Sequence, residues 1–468
     1  MSASPLAPGW LVPPADPNAL APAVWPEGAH RDESGVVAIG GVGATALAER
    51  FGTPVMVLDE GVARARAART RTAFESAAAR HGTGVRIYYA GKAFLSVEVA
   101  RWMRQEGLRI DVSTLGELEV ALAADVPAAL LGFHGNNKSV TEIERAVEVG
   151  VGSIIIDSEI EVERLAAVAA RQGRTQRVLI RVNTGVHAET HDFLATAHED
   201  QKFGFSLGQA PHIVARVREA DHLELEGLHC HIGSQIFGTD GFRESAARLL
   251  QVVAQIGGDV PVLNLGGGFG IAYTSADRAT PIEELADGIL DVVAAECAAR
   301  GIPLPVVAFE PGRSIIGPAG VTLYEVGTVK DVTVDTEQGT ANRRYVSVDG
   351  GMSDNPRPAL YDAQYSARIA SRASSDAPEL VRVVGKHCES GDIVVDAEYL
   401  PADVAPGDLV AVAATGAYCH ALSSNYNHVP RPPVVAVRDG AARVIVRGES
   451  IADLLARDAG LAPSRGDE

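Results

Sequence analysis

Residues 86–133 read RIYYAGKAFLSVEVARWMRQEGLRIDVSTLGELEVALAADVPAALLGF, and in them short β-branched runs alternate with stretches of helical period. The runs Arg86–Lys92, Arg109–Val112 and Ala128–Phe133 have the composition of buried strands. Leu95–Gln105, between the first two runs, has the spacing of an amphipathic helix. This alternation predicts parallel strands joined by helices.

The pattern continues to about residue 313 and gives eight candidate strands. The other five are Ser153–Asp157, Val178–Val182, Leu225–His231, Val262–Leu265 and Val306–Glu310. Eight strand–helix units over roughly 250 residues are typical of an α/β TIM-like (β/α)8 barrel. A doubly wound sheet gives the same alternation, so the count leaves both folds open. Pro54–Asp59 is a ninth candidate strand, and the pattern does not identify its sheet.

The helical period ends near Ser314, and short strands separated by Gly, Pro and Asp turns follow. They are Val321–Val329, Arg344–Val348, Leu380–Val384, Asp392–Val395, Leu409–Val412, Pro433–Val437 and Arg443–Arg447. This pattern predicts a C-terminal all-β domain.

Four segments are therefore expected. They are a proline-rich extended arm over residues 1–33, an N-terminal segment over 34–53 associated with the β domain, a barrel over 54–314 and the β domain over 315–468. The arm carries seven of the 25 prolines, so it is expected to lie extended on the surface or on a partner.

Composition excludes several classes of protein. The 468 residues are 46% hydrophobic and 22% charged, as in a soluble globular protein. The formal charge of −19, without a Lys/Arg run, argues against a nucleic-acid or anionic-membrane partner. No run reaches the ~18 apolar residues that span a bilayer, and the first basic residue is Arg31, unlike a signal peptide. Four cysteines without a CxxC pair suggest no disulfide framework, so we expect a cytoplasmic enzyme.

Catalytic groups of barrels gather at the C-terminal ends of strands. Lys92, one of only five lysines, closes the first run. We expect such a lysine to be partly desolvated, which lowers its pKa and favours Schiff-base chemistry. The alternative is a strand-end lysine that extends into solvent.

Two further strand ends carry polar or glycine-rich sequence. His229 and His231 alternate onto one face of their strand, but no third zinc ligand of suitable spacing follows. A neutral histidine stacked on a ring, with Ser234 reaching a phosphate, fits equally well. The glycines of residues 266–268 let backbone N–H groups approach an anion, although a tight turn without a ligand has the same sequence.

Glu310 ends the last barrel strand. If it is buried it must meet a cation or a protonated base, and the alternative is an ion pair with Arg313. One lysine, one histidine facing a ring, one phosphate loop and one carboxylate together suit pyridoxal phosphate.

The motifs that carry these residues resemble those of the diaminopimelate decarboxylases, which are pyridoxal-phosphate enzymes built on an alanine-racemase-like barrel plus a β domain. In order, the matching motifs are YAGKAF (89–94), HCHIGSQ (229–235), NLGGGFG (264–270), EPGR (310–313), NPRP (355–358) with Tyr361, CESGD (388–392) and GAY (416–418). The resemblance extends from about residue 35 to 440.

The resemblance implies a set of cofactor contacts. Lys92 would hold pyridoxal 5'-phosphate covalently, His231 would stack on the pyridine ring, and Glu310 would pair with the ring nitrogen. Phosphate would be bound by Ser234 and the amides of Gly266, Gly267 and Gly268. Asp111, Gly312, Arg313 and Tyr418 would complete the cofactor site. Phe94 stands where many relatives have Asn, which affects one local polar contact.

The resemblance also implies the substrate contacts and the assembly. Arg313, Arg357 and Tyr361 would bind the distal carboxylate, Glu389 would take the distal ammonium, and Tyr418 would lie near the substrate. Cys388 would be the proton donor, and Cys388 and Glu389 would come from the neighbouring subunit of a homodimer. The expected reaction converts meso-2,6-diaminopimelate to L-lysine and CO2, the last step of lysine biosynthesis.

Rival functions remain on the same fold. A decarboxylase of ornithine, arginine or carboxynorspermidine would have less use for Arg357, because ornithine lacks a distal carboxylate. An alanine racemase would place arginine, and not Glu310, at the pyridine nitrogen. A non-catalytic relative would be expected to have lost cofactor residues, and none is visibly lost here.

Overall fold

The computed structural model describes residues 4–186, 202–337 and 339–461. It divides into two compact units. One contains residues 64–271 and 278–315, and the other contains residues 1–63, 272–277 and 316–468.

The first unit is a closed barrel of eight parallel strands, which confirms the predicted barrel over a doubly wound sheet. Its strands are Val85–Ala90, Arg109–Val112, Leu131–Phe133, Ser153–Ile156, Gln176–Asn183, Leu223–His229, Val262–Asn264 and Val306–Phe309. The last strand pairs with the first through Val307 and Val85, and this pairing closes the sheet. A short strand, Phe205–Ser206, pairs additionally with Gln176–Asn183.

Helices alternate with these strands. They are Glu60–Arg80, Val97–Gln105, Leu115–Ala123, Val140–Val149, Glu159–Arg171, Ala210–Glu219, Asp240–Gln255, Ile282–Arg300 and Arg313–Ile316. Local sequence fixes several starts: the side chains of Ser96, Thr114 and Ser139 accept an N–H of the first turn that follows each. Buried Tyr88, Leu179 and other strand residues form part of the core, so polar chemistry is left to the strand ends.

The second unit is built on mixed β-structure, in which most strand pairs are antiparallel and two are parallel. Its larger sheet contains Val55–Asp59, Gly320–Thr336, Gly339–Val348, Ala367–Ile369, Pro378–Val384, Ile393–Pro401, Leu409–Ala413, Val434–Arg438 and Ala441–Val446. A three-stranded sheet contains His30–Arg31, Val37–Ile39 and Val42–Gly43. Three short helices complete it: Ala44–Phe51, Arg357–Tyr361 and Ile451–Leu455. The seven strands expected after residue 314 are all present.

Two boundaries differ from the expected segments. Val55–Asp59, expected within a barrel starting at residue 54, instead pairs with Gly320–Leu323 and Val434–Val437 of the second unit. All five of its residues are buried, because it has a neighbouring strand on each side. Residues 272–277 also cluster with this unit.

The N-terminal arm packs into the core of its own unit. Trp25, only 3% exposed, and Val24 belong to a buried cluster with Val37, Ile39 and residues of the larger sheet. The Arg31 guanidinium donates to the carbonyl oxygens of Ile369 and Arg372. The expected extended arm is thus held by burial and by backbone acceptors.

Among the described residues, no helix has both the length and the apolar character required to span a membrane.

Candidate active site

Lys92 lies on a single turn, Gly91–Ala93, directly after the first barrel strand. The Tyr89 hydroxyl, which is buried, donates to the Phe94 carbonyl oxygen at 2.6 Å and fixes this turn. The Lys92 side chain is exposed, so the partial desolvation expected for it is not what the structure shows. Its charge partly offsets the burial that raises the pKa of Asp111 and adds to the burial that lowers the pKa of His231.

Glu310 is buried among imidazoles. Its Oε1 lies 3.3 Å from His134 Nε2 and 3.1 Å from His229 Nε2, and it accepts a hydrogen bond of 2.7 Å from the Asn264 amide. Burial alone would raise the pKa of Glu310, but His134 and His229 hold it well below its usual value. Glu310 is therefore an ionised carboxylate directly after the last barrel strand.

His134 was not singled out from the sequence, yet it joins two of the predicted residues. Its Nε2 lies 3.3 Å from Asp111 Oδ1 as well as 3.3 Å from Glu310 Oε1. Burial lowers the pKa of His134, but Glu310 and Asp111 outweigh it and raise this pKa to about 9. Burial and the nearby Glu310 charge raise the pKa of Asp111 to about 7. The sequence could have indicated His134 by its position, because it directly follows the barrel strand Leu131–Phe133.

The two histidines of the HCHIGS motif have different roles. Burial lowers the pKa of His229 to about 4 despite the adjacent Glu310, so this ring is neutral. Burial and the Lys92 charge hold the pKa of His231 well below its usual value. His231 Nδ1 accepts the Gly267 N–H at 3.3 Å, which leaves the proton of the neutral ring on Nε2. His231 is thus a neutral ring beside the glycine loop.

The loop of residues 266–268 needs glycine because the backbone of a neighbouring strand end lies too close for a side chain. A Cβ at Gly267 would lie 2.0 Å from the Glu310 carbonyl oxygen, and Gly266 has φ +72°. The Gly268 amide donates to no acceptor among the described residues. Beside this loop, the Arg313 guanidinium donates to Ser234 Oγ at 2.7 Å. The Gly268 N–H, the Arg313 guanidinium and the Ser234 hydroxyl are all groups that can bind an anion.

Gly312 has a packing role in this strand end. A Cβ there would lie 3.0 Å from Ala90 Cβ and 3.0 Å from Ala93 Cβ, on either side of Lys92. The small residue lets the last strand end lie directly against the lysine turn.

The residues fit pyridoxal phosphate better than a metal ion. Buried polar atoms of Asp111, His134 and His229 lack an aligned hydrogen bond among the described residues. His134, His229 and Glu310 place ligand atoms within 4.8 Å of one another. A metal ligand must be a neutral imidazole, whereas His134 has a raised pKa. Pyridoxal phosphate requires a carboxylate for its ring nitrogen, a neutral ring that can stack on it and a loop that binds its phosphate, and Glu310, His231 and the glycine loop are groups of these kinds.

The remaining predicted residues belong to the second unit. Arg357 and Tyr361 begin and end one short helix, with Arg357 buried and Tyr361 65% exposed. Cys388 and Glu389 lie in an exposed turn, where the Cys388 N–H donates to Asn427 Oδ1 at 3.2 Å. Tyr418 has φ +63°, a strained value for a residue with a side chain. Such strain is typical of functional sites.

Comparison with known proteins identifies this arrangement. Residues 65–317 match the family described as pyridoxal-dependent decarboxylase, pyridoxal binding domain. The chain is 53% identical to the diaminopimelate decarboxylase of Mycobacterium tuberculosis over 446 residues, 93% of this chain and 98% of that protein. It is 42% identical to that of Bacillus subtilis over 435 residues, 92% and 96% of the two chains.

A solved structure gives the same result for the fold. Diaminopimelate decarboxylase from M. jannaschii, in complex with L-lysine, matches with a TM-score of 0.85 at 30% identity, covering 92% of this chain and 98% of that one. The family match covers more than half of the chain, and the relatives are covered over nearly their whole length. The chain therefore belongs to the diaminopimelate decarboxylase family of pyridoxal-phosphate-dependent decarboxylases.

Proposed function

We propose that this chain decarboxylates meso-2,6-diaminopimelate at its D-configured carbon, giving L-lysine and CO2. The bond between that carbon and its carboxylate breaks, its electron pair stays on the carbon, and a proton from the protein takes the place of CO2. This would be the last step of lysine biosynthesis.

Residues of the barrel would hold the cofactor. The Lys92 amine would carry it covalently, the neutral His231 ring would stack on it, and Ser234 with the amides of residues 266–268 would bind its phosphate. When bound, pyridoxal phosphate supplies an electron sink for the pair left by departing CO2. Glu310 would keep the ring nitrogen protonated, and its lowered pKa supports that role. Asp111 would set the charge around Glu310 through His134, which lies between them.

The substrate assignment depends on one observation, the burial of the Arg357 guanidinium without a carboxylate partner. It is 6% exposed, and none of the ion pairs found among the described residues includes it. A buried guanidinium without an anionic partner is costly, which supports binding of an anionic ligand. Arg313 and Tyr361 would assist at the distal carboxylate, Glu389 would bind the distal ammonium, and Tyr418 would contact the substrate. Ornithine lacks the carboxylate that Arg357 would bind.

Protonation of the carbanion would be carried out by Cys388. Its exposed thiol lies beside Glu389, and it is held through its backbone N–H by Asn427. The chain would act as a homodimer in which each copy lends Cys388 and Glu389 to the other. All four cysteines are free, as expected of a protein in a reducing cytoplasm.

The test is to offer diaminopimelate, ornithine and arginine separately, with added pyridoxal phosphate, and to measure released CO2. We expect release from diaminopimelate alone. Release from ornithine or arginine at a comparable rate would contradict the substrate assignment, and no release from any of the three would favour a non-catalytic relative.

The covalent role of Lys92 has its own test. Borohydride reduction of the loaded protein should fix the cofactor to the peptide that contains Lys92, as read by mass spectrometry. Lys92→Ala should abolish turnover. A Lys92→Ala variant with near-normal rates would overturn the assignment.

A further inference from the structure

We infer that Tyr273 and Tyr365 are positioning residues that clamp Arg357 in one orientation and thereby determine specificity for a substrate with a distal carboxylate. This inference rests on the proposed function, because it assigns neighbours to the same substrate group. All three residues belong to the second unit.

Two aromatic rings contact the Arg357 guanidinium. Its central carbon lies over the Tyr273 ring, 4.7 Å from the centroid, and 5.5 Å from the centroid of Tyr365. The rings themselves meet edge to face, with centroids 5.2 Å apart. A cation–π contact uses the face of the ring and takes up none of the guanidinium N–H groups, so those not bonded to Tyr365 are left to bind a carboxylate.

A directional chain of hydrogen bonds fixes the arginine. The Arg357 Nη1 donates to the Tyr365 hydroxyl oxygen. Since that oxygen accepts, its own hydrogen is free to point to Cys419 Sγ, 3.4 Å away. The Cys419 thiol in turn donates to Asn355 Oδ1 at 3.3 Å. The same thiol lies 3.7 Å from the Ala417 carbonyl oxygen, a second acceptor, so Tyr365 links Arg357 to a buried polar network.

The groups of this chain are shielded from water. Tyr365 and Cys419 are buried, and Tyr365 is only 1% exposed. Burial holds the pKa of the Tyr365 hydroxyl well above its usual value, so it stays protonated and cannot neutralise the guanidinium. The positive charge is therefore oriented by the tyrosines and left available to a ligand.

The orientation has a consequence for selectivity. A flexible arginine would bind carboxylates at several angles, and the ordering of its side chain would weaken the binding. A clamped arginine favours a substrate whose carboxylate arrives in the plane of the guanidinium. Loss of the clamp should affect only ligands that carry that carboxylate.

The experiment compares Tyr273→Leu, which removes the ring, with Tyr273→Phe, which keeps it. For Tyr273→Leu we expect KM for diaminopimelate to rise about three- to thirty-fold with kcat nearly unchanged, as loss of a cation–π contact predicts. Tyr273→Phe should restore KM to near the wild-type value. Tyr365→Phe, which keeps the ring and removes the hydroxyl, should raise KM in the same direction.

Two inhibitors separate a specific effect from general damage. The inhibition constant of heptanedioate, which carries carboxylates at both ends, should rise with KM in Tyr273→Leu. That of D-lysine, which keeps the D-configured carbon and lacks the distal carboxylate, should stay unchanged. An unchanged KM in folded, cofactor-loaded Tyr273→Leu, or an equal rise for both inhibitors, would overturn the inference. If Tyr273→Leu does not fold, the same comparison is made with Tyr365→Phe: its KM and its two inhibition constants are each divided by the wild-type values.

A failure of the proposed function gives a different result. It would appear as wild-type protein that releases no CO2 from diaminopimelate. Calorimetric binding of heptanedioate to that protein would still test the clamp, because binding should weaken in Tyr273→Leu and persist in Tyr273→Phe.

Discussion

Among single residues, His134 gives the candidate site its sharpest dependence on pH. Its folded-state pKa of about 9 lies above the ordinary value of 6.5 that the unfolded chain would have. The folded protein therefore keeps a proton that the unfolded chain releases between these values. The stabilisation from His134 is complete below pH ~6.5 and is lost as the pH rises toward ~9.

The free energy of unfolding should therefore fall between pH 6.5 and 9, with His134 contributing up to about 1 kcal/mol per pH unit. Urea titrations of the cofactor-free protein at several pH values measure the slope. His134→Gln should flatten it, whereas His212→Gln, at an exposed position, should not. Equal slopes in wild type and His134→Gln would contradict the assigned role of Glu310 and Asp111.

Arg357 carries the second prediction at this scale. Arg357→Ala should raise KM for diaminopimelate at least tenfold, because a charge-assisted pair of hydrogen bonds to the distal carboxylate is lost. The turnover number should change less. Lys386→Ala, an exposed cation of the same unit, serves as the control in the same steady-state assay. An unaltered KM would remove Arg357 from the substrate site.

The cofactor residues that were found from sequence pattern lie at the ends of barrel strands, whereas the residues of the second unit were named only through the family resemblance. Glu310, His231 and Ser234 could be found because a closed barrel brings all its strand ends to one rim. His134 was missed because Gly135 and the asparagines after it read as an ordinary turn. Its contact with Asp111 and Glu310 depends on strands far apart in sequence. The exposure of Lys92 likewise depends on tertiary packing around its turn.

At the scale of elements, a buried ion pair holds the loop that carries His134. Lys138, 2% exposed, donates to the carbonyl oxygens of Gly135 at 2.7 Å and Ile155 at 2.6 Å and lies 3.0 Å from Glu161 Oε1. One ammonium thus joins the loop after the third barrel strand to the fourth strand and the helix Glu159–Arg171. The position of His134 depends on this joint.

Lys138→Met should lower the free energy of unfolding by about 3–5 kcal/mol, because the Glu161 carboxylate is left buried and unpaired. Adding Glu161→Leu should recover part of this loss, since the unpaired charge is then removed as well. Arg145→Met, which breaks only surface pairs with Glu119 and Glu148, should cost under about 1 kcal/mol. A single Lys138→Met variant as stable as Arg145→Met would refute this role.

Sequence pattern located strands better than it assigned them to sheets. The eight barrel strands could be predicted because each is followed by a helix, and neighbouring parallel strands need such a crossover connection. Val55–Asp59 has the same β-branched composition, but its partners lie at Gly320–Leu323 and Val434–Val437. Ala367–Ile369 is three residues long, too short for a period to be visible. Such long-range pairing is a property of the folded chain and leaves no local signal.

On the scale of the whole molecule, the proposed homodimer predicts complementation between inactive variants. Lys92→Ala and Cys388→Ala chains, co-expressed with different tags and purified through both, should form dimers with one intact set of groups. We expect roughly half the wild-type rate from such a dimer if the copies exchange Cys388.

The control pairs Lys92→Ala with the Lys92→Ala/Cys388→Ala double variant, which should give no activity. Absence of complementation in a dimer shown by light scattering would mean that each copy uses its own Cys388. A monomer in light scattering would refute the proposed assembly.

The placement of Val55–Asp59 has a consequence for synthesis on the ribosome. Its partner Val434–Val437 emerges last, so the sheet that contains both cannot form until translation is nearly complete. The strands Val85–Ala90 to Val306–Phe309, by contrast, leave the exit tunnel one after another, and only residues 272–277 between them cluster with the other unit. Nascent chains stalled far enough beyond residue 315 for Val306–Phe309 to have left the tunnel should already protect the barrel from protease while residues 55–59 remain cleavable, because the last partner of that strand has not yet been made.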